Sequence, residues 1–121
     1  MLRGVRGAIQ ANQNSRDSIL NAAEELMRAM IEANGIRAEN VASVFFTVTP
    51  DLDATFPAAV RSAIGWNLVP FLCGGEIPVP DSLERVIRVL ILFETDRTLA
   101  EVEHQYLGAA AQLRPDLRSD L

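Results

Sequence analysis

Five side chains in this sequence combine useful chemistry with a suggestive setting: Arg6, Arg61, Glu76, Arg88 and Tyr106. Arg88 stands between Ile87 and Val89 inside an apolar run. Its guanidinium must therefore pair with a carboxylate or face a cavity, because an unpaired buried charge is costly. A guanidinium offers a planar fork of donors suited to carboxylates and phosphates. All 11 basic residues of the chain are arginine. Composition bias explains the missing lysine, so position alone decides which arginines belong to a site. Taken singly, Arg6 and Arg61 read as surface residues, and Glu76, beside Gly74 and Gly75, as a solvated loop acid. Tyr106 reads as a half-buried packing residue with a wet hydroxyl, and Cys73 as a small buried hydrophobe rather than a nucleophile. On a helix, His104 and Tyr106 would point apart, which leaves nucleophilic catalysis without support. No Gly-rich strand-to-helix loop of the phosphate-cradling kind is present. Spacing alone thus reaches an arginine-rich site for a small carboxylate-bearing anion.

The rest of the composition narrows the field. A chain of 121 residues with 49% hydrophobic residues can bury one core, which predicts a single domain over residues 1–121. The apolar stretches are strand-sized, well short of the roughly 18 residues a membrane-spanning helix needs. The start, Met1 to Arg6, lacks the apolar segment of a secretory signal, and a cytoplasmic protein that engages no membrane is expected. One cysteine, Cys73, and one histidine, His104, make neither an intrachain disulfide nor a credible zinc site, so no metal is expected. A formal net charge of -5 without any basic run makes nucleic acid a poor partner.

These residues must be positioned by a few elements. Residues 2–11 alternate loosely around Val5 and Ile9 and read as a first strand carrying Arg3 and Arg6. From Ser15 the period becomes helical: Ile19, Ala22, Ala23, Leu26, Met30 and Ala33 share one face, with Ser15 or Asn14 as cap and Gly35 as stop. Residues 41–48 are β-branched and aromatic, end at Pro50, and read as a strand buried on both faces. Strand, helix and strand suggest a crossover unit. A short amphipathic helix is predicted over 57–64, with Pro57 in its first turn. Residues 68–72 read as an edge strand because Pro70 interrupts them. Residues 86–93 form the third strong strand, and 99–110 read as a second amphipathic helix through Val102, Tyr106, Ala109 and Ala110.

Several motifs recur together: Arg3-Gly4-Val5-Arg6-Gly7-Ala8, Thr47-Val48-Thr49-Pro50-Asp51-Leu52, Phe56-Pro57-Ala58, Val69-Pro70, Cys73, Glu76, Ile87-Arg88-Val89, His104-Gln105-Tyr106-Leu107 and Leu113-Arg114-Pro115-Asp116-Leu117. In this order and spacing the sequence closely resembles the monofunctional trimeric chorismate mutases over essentially its whole length. The terminal Leu-Arg-Pro-Asp-Leu combined with the Arg-Gly-x-Arg-Gly start is the most specific part. The resemblance implies an α+β fold, a mixed β-sheet packed with two main helices, whose three subunits assemble into a pseudo-α/β-barrel with sites between neighbours.

The same resemblance implies conversion of chorismate to prephenate without any cofactor, because a Claisen rearrangement needs no nucleophile or proton transfer. Arg88 would donate to the ether oxygen that gains charge as the C–O bond breaks, Arg6 would bind a carboxylate, and Glu76 would accept from the ring hydroxyl. Tyr106 would orient the pyruvyl carboxylate, Cys73 would lie near the ring hydroxyl, and Phe56 would pack on the substrate. Arg61 and Arg114 would line the mouth, with Leu113 beside them. The sequence departs from the family at Ala58-Ala59, where a lysine can stand, and is one residue shorter before Gly65, a shift that bears on Arg61. The rival reading is a non-catalytic or differently reacting trimeric protein of similar small α/β fold that captures carboxylates between subunits.

Overall fold

Strand β1 (Leu2–Gln10) sends Val5, Gly7 and Ile9 to one side of the sheet and Arg6 and Ala8 to the other, following the period-2 alternation of extended backbone. A computed structural model of the chain describes residues 1–113, and within them β1 leads into the one long helix, α1 (Arg16–Asn34). The Ser15 hydroxyl caps α1 by accepting from the Ser18 amide. Gly35, at φ 60, ends it in the left-handed conformation that glycine adopts without penalty. Asn14, the other cap candidate, instead accepts from the amides of Asp53 and Ala54 and donates to the Asp53 carboxylate.

The remaining strands are β2 (Val41–Val48), β3 (Phe71–Gly75), β4 (Val86–Glu94) and β5 (Gln105–Tyr106), in sheet order β3-β2-β4-β1-β5. Both β1 and β2 run antiparallel to β4, whereas β3 and β5 pair in parallel at the two edges, so the sheet is mixed. The expected crossover of β1, α1 and β2 is present, with β4 inserted between its two strands. The edge strand expected over 68–72 instead runs over Phe71–Gly75: Pro70 lies just before β3 and does not interrupt it, while the edge position of the strand is as expected.

The helix packs Ile19, Ala23, Leu26, Met27 and Met30 onto the sheet face made by Val5, Val44, Phe46, Ile87, Val89, Ile91 and Phe93. Phe46 and Phe71 stack there, with ring centroids 6.1 Å apart. The opposite face carries Arg6, Phe45, Leu72, Arg88, Leu90 and Leu92 and, among the described residues, is covered only at one end, by a small cluster of Ala8, Val86, Tyr106 and Ala110.

Three further expectations are corrected. Residues 41–48 are not buried on both faces: Phe46 is 1% exposed, but its neighbour Phe45 is 37% exposed, because α1 covers one side only. The second helix, expected over 99–110, does not form. Gln105 and Tyr106 pair with Gly7 and Ala8 instead, and a short 3-10 segment, Gly108–Leu113, follows a left-handed Gly108 at φ 56. Tertiary pairing outweighs a weak helical period here. The predicted helix over 57–64 is a 3-10 segment, Pro57–Ser62.

Candidate functional site

Ladder register places one residue from each strand in a single row across the open face: Gly74, Thr47, Arg88, Ala8 and Tyr106. Neighbouring strands lie about 4.8 Å apart, so Tyr106 sits roughly 10 Å from Arg88 along this row. Arg6 is one step along β1 from Ala8, pairs with Leu90, and is exposed on the same face. Four of the residues that matter for anion chemistry therefore share one surface because of strand alternation.

Arg88 sits in the central strand. The start of β4 is pinned before it: the Val86 amide donates to Thr49 Oγ1 at 3.0 Å, and the Arg85 amide donates to Asp51 Oδ2 at 2.9 Å. Arg85 adopts a left-handed φ of 52 at this junction. Burial alone would raise the Asp51 carboxyl, but hydrogen bonds from Thr49 and the Arg85 amide, with the Arg85 charge, outweigh it and hold the group below its ordinary value.

Glu76 follows β3, and its amide extends the parallel ladder by donating to Val48 O at 2.9 Å. Its carboxylate is held from two sides. The Thr47 hydroxyl donates to Oε2, and Arg88 Nε stands 2.7 Å from Oε1. The Arg88 Nε–H is buried and not aligned on that oxygen, so the contact is an ion pair without a well-formed hydrogen bond. The terminal nitrogens of Arg88 have no hydrogen-bond partner among the described residues, and the side chain is 40% exposed. Its outer donors are thus unspent.

Those donors border a cleft of about 460 Å³ lined by Thr49, Glu76, Leu83, Val86, Arg88 and Leu113, among others. Its volume suits a small organic anion. Leu83, Val86 and Leu113 also pack against the Tyr106 cluster, so the cleft and the buried tyrosine share a wall. Tyr106 is 6% exposed. A depression of similar size at Trp66 has Glu39 as its one charged lining residue and no arginine. Among the described residues, no group of three or more His, Cys, Asp and Glu stands together to hold a metal ion, and no helix is long and apolar enough to cross a membrane.

Not every expected residue joins this cleft: Arg6 and Tyr106 belong to the same face of the sheet but are not among its lining residues. Cys73 pairs with Phe46 and lies on the helix side of the sheet, opposite to Arg88. With the strongly exposed Phe56 it lines a separate cleft of about 520 Å³ at the β3 edge. Arg61 is exposed in the last turn of the 3-10 segment Pro57–Ser62 and lines neither cleft. Arg114 lies outside the described residues. Residue-type reasoning missed Thr47 and Thr49, although polar residues at alternate positions of an apolar strand mark its non-core face; reading β2 as buried on both faces hid that signal.

Comparison with known proteins gives a consistent picture. A family model described as chorismate mutase type I matches residues 2–117. The sequence is 50% identical to chorismate mutase AroH of Thermus thermophilus over 120 residues, covering 98% of each chain. It is 39% identical to chorismate mutase AroH of Bacillus subtilis over 118 residues, 97% of this chain and 93% of that one. The fold superposes on a chorismate mutase from Clostridium thermocellum with a TM-score of 0.89 at 38% identity, covering 91% of this chain and 98% of the other.

Proposed function

This chain belongs to the type I chorismate mutases and is an isomerase of that family, and from that premise we propose how its own residues carry the rearrangement of chorismate to prephenate. The observation that carries the reading is Arg88, a guanidinium with unspent donors beside a 460 Å³ cleft and braced by Glu76. The reaction is unimolecular: one C–O bond breaks as one C–C bond forms, with electrons moving around a six-membered ring. No proton need be transferred. Two contributions remain for the protein, selection of the compact diaxial chair and stabilisation of charge separation in a polarised transition state.

Arg88 supplies the second contribution. Its terminal nitrogens donate to the ether oxygen as negative charge gathers there, while the bond to the enolpyruvyl group lengthens. Glu76, set by the Thr47 hydroxyl and the ladder bond of its amide, accepts from the ring hydroxyl and fixes the ring relative to Arg88. Arg6, one ladder step from the Arg88 row, takes a substrate carboxylate. Tyr106, packed beside Leu113 at the edge of the cleft, orients the pyruvyl carboxylate. The residues act by holding a reactive conformer against fixed dipoles, which costs no reorganisation during the reaction.

The split between the Arg88 cleft and the Phe56–Cys73 cleft supports a site shared between subunits. The two clefts have no lining residue in common. A homotrimer closes the gap: the β3 edge of one copy, with Phe56, Cys73 and Arg61, meets the open face of the next. Phe45, Leu72 and Leu2 are 37%, 62% and 53% exposed on that face, the kind of apolar surface that assembly covers. Such an enzyme works in the cytoplasm, on a soluble dianion, ahead of phenylalanine and tyrosine. The test is loss of chorismate absorbance on adding purified protein in chelator-treated buffer, with prephenate identified as product. Binding of chorismate without turnover would overturn the catalytic reading, and an active monomer in sedimentation would overturn the shared site.

A further inference from the structure

Asn34 is the only buried polar or charged residue among the described residues, 4% exposed at the last position of α1. Every hydrogen-bonding valence of its amide is used. Nδ2 donates to Met30 O at 3.0 Å and to Glu103 O at 2.9 Å, and Oδ1 accepts from the Glu103 amide at 2.7 Å and from Arg97 Nη1 at 3.4 Å. The side chain thus grips both backbone groups of Glu103, as a neighbouring strand would. A buried amide left half-satisfied would be costly, so this geometry fixes the Glu103 backbone to the end of the helix.

What lies downstream gives the grip its meaning. Three residues after Glu103 comes Tyr106, on a strand only two residues long. A two-residue parallel ladder is little anchorage by itself. Two further bonds tie it to β1: the Leu107 amide donates to Ala8 O at 3.0 Å, and His104 Nδ1 accepts from the Arg6 amide at 3.0 Å. On the other side of Glu103, Arg97 donates to Ala33 O at 2.9 Å and draws the preceding loop onto the same helix end. Arg6, by contrast, sits within the nine-residue pairing of β1 with β4 and does not depend on β5 for its place.

We propose that Asn34 is a positioning residue for Tyr106: by clamping the Glu103 backbone to α1, it sets the height and register at which β5 holds the tyrosine behind the cleft wall of Val86 and Leu113. The proposal rests on the reading that Tyr106 orients a substrate carboxylate. It makes the end of α1, on the covered side of the sheet, part of the binding apparatus on the open side.

The experiment is a double-mutant cycle of Asn34→Ala with Tyr106→Phe, reading kcat and KM separately on purified protein. Asn34→Ala is expected to raise KM about tenfold with kcat within about twofold, because a carboxylate contact is lost while Arg88 and Glu76, on other strands, stay in place. In the Tyr106→Phe background the same substitution is expected to change KM by less than about twofold. Equal losses in both backgrounds, or a loss confined to kcat, would overturn the role of Asn34 and leave that of Tyr106 standing. Wild-type kcat and KM for Tyr106→Phe alone would overturn the reading of Tyr106, and this inference with it. If Asn34→Ala is too unstable to purify, Asn34→Asp, which keeps the acceptor for the Glu103 amide and loses the donor to its carbonyl, goes through the same cycle.

Discussion

Replacing Arg88 by alanine separates what this residue does for the reaction from what it does for the fold. Among the described residues its guanidinium makes one ion pair, with Glu76 at 2.7 Å, and its side chain is 40% exposed. A pair of that exposure contributes about 1 kcal/mol or less, since solvent screens it. Glu76 also keeps its other supports in the variant, the Thr47 hydroxyl and the ladder bond to Val48. The variant should therefore fold, with a melting temperature lowered by about 4 °C or less. The effect on chemistry is far larger. A prearranged donor aimed at developing charge is worth about 3–4 kcal/mol in the transition state, two to three decades in kcat. Arg88→Lys retains the charge without the planar fork and should fall between wild type and alanine. The assay is the initial rate of chorismate loss at saturating substrate, beside a thermal melt on the same preparation. A folded Arg88→Ala protein whose kcat stays within about threefold of wild type would refute the assignment.

Three other expectations follow from the packing and the charges. Gly7→Ala would put a methyl 2.5 Å from Met30 Sδ and 2.9 Å from Gln105 O; because the carbonyl is backbone of β5 and cannot swing aside, denaturant midpoints should report a loss of about 1–3 kcal/mol. The Asp51 carboxyl titrates below its ordinary value of 3.8 in the folded protein, so its contribution is present above the unfolded value and lost as pH falls through the folded one; Asp51→Asn should be less stable than wild type at pH 7, and a gap that stays constant on acidification would contradict this. If the open face joins copies as proposed, Leu72→Glu, on its exposed end, should shift the sedimenting species of the proposed trimer to a monomer and reduce activity with it, while leaving the secondary structure of each copy intact.

The parts of the fold that could be read from the sequence are those whose cause is local. Helix α1 carries its cap at Ser15, its stop at Gly35 and an unbroken apolar stripe between them, and Pro70 marks β3 as an edge. Arg88 was legible for the same reason, since a charge inside an apolar run demands a partner. That the partner is Glu76, twelve residues earlier, depends on a parallel pairing of β3 with β2 that no short-range spacing encodes. The failure over 99–110 has the same origin. Val102 and Tyr106 do stand at helical spacing, yet Asn34 holds Glu103 and β1 recruits Tyr106, contacts made by residues about seventy and about one hundred positions away. Thr47 was hidden by a misjudged strand face, not by weak chemistry.

The order of strands in the sheet also governs how the protein comes to exist. β1 is made first, yet both of its neighbours, β4 and β5, come from residues 86–106, with Leu2 pairing Glu94. During synthesis the β1–α1–β2 unit must wait with unpaired strand edges until nearly the whole chain has left the ribosome. Non-local pairing of this kind makes for slow folding and for a period of exposure to misassembly. The late strand that fills the central gap is the one that carries Arg88. Closing the sheet and delivering the charge to the cleft are then one event, so a nascent or truncated chain lacking β4 has neither a finished core nor the arginine that the site is built around.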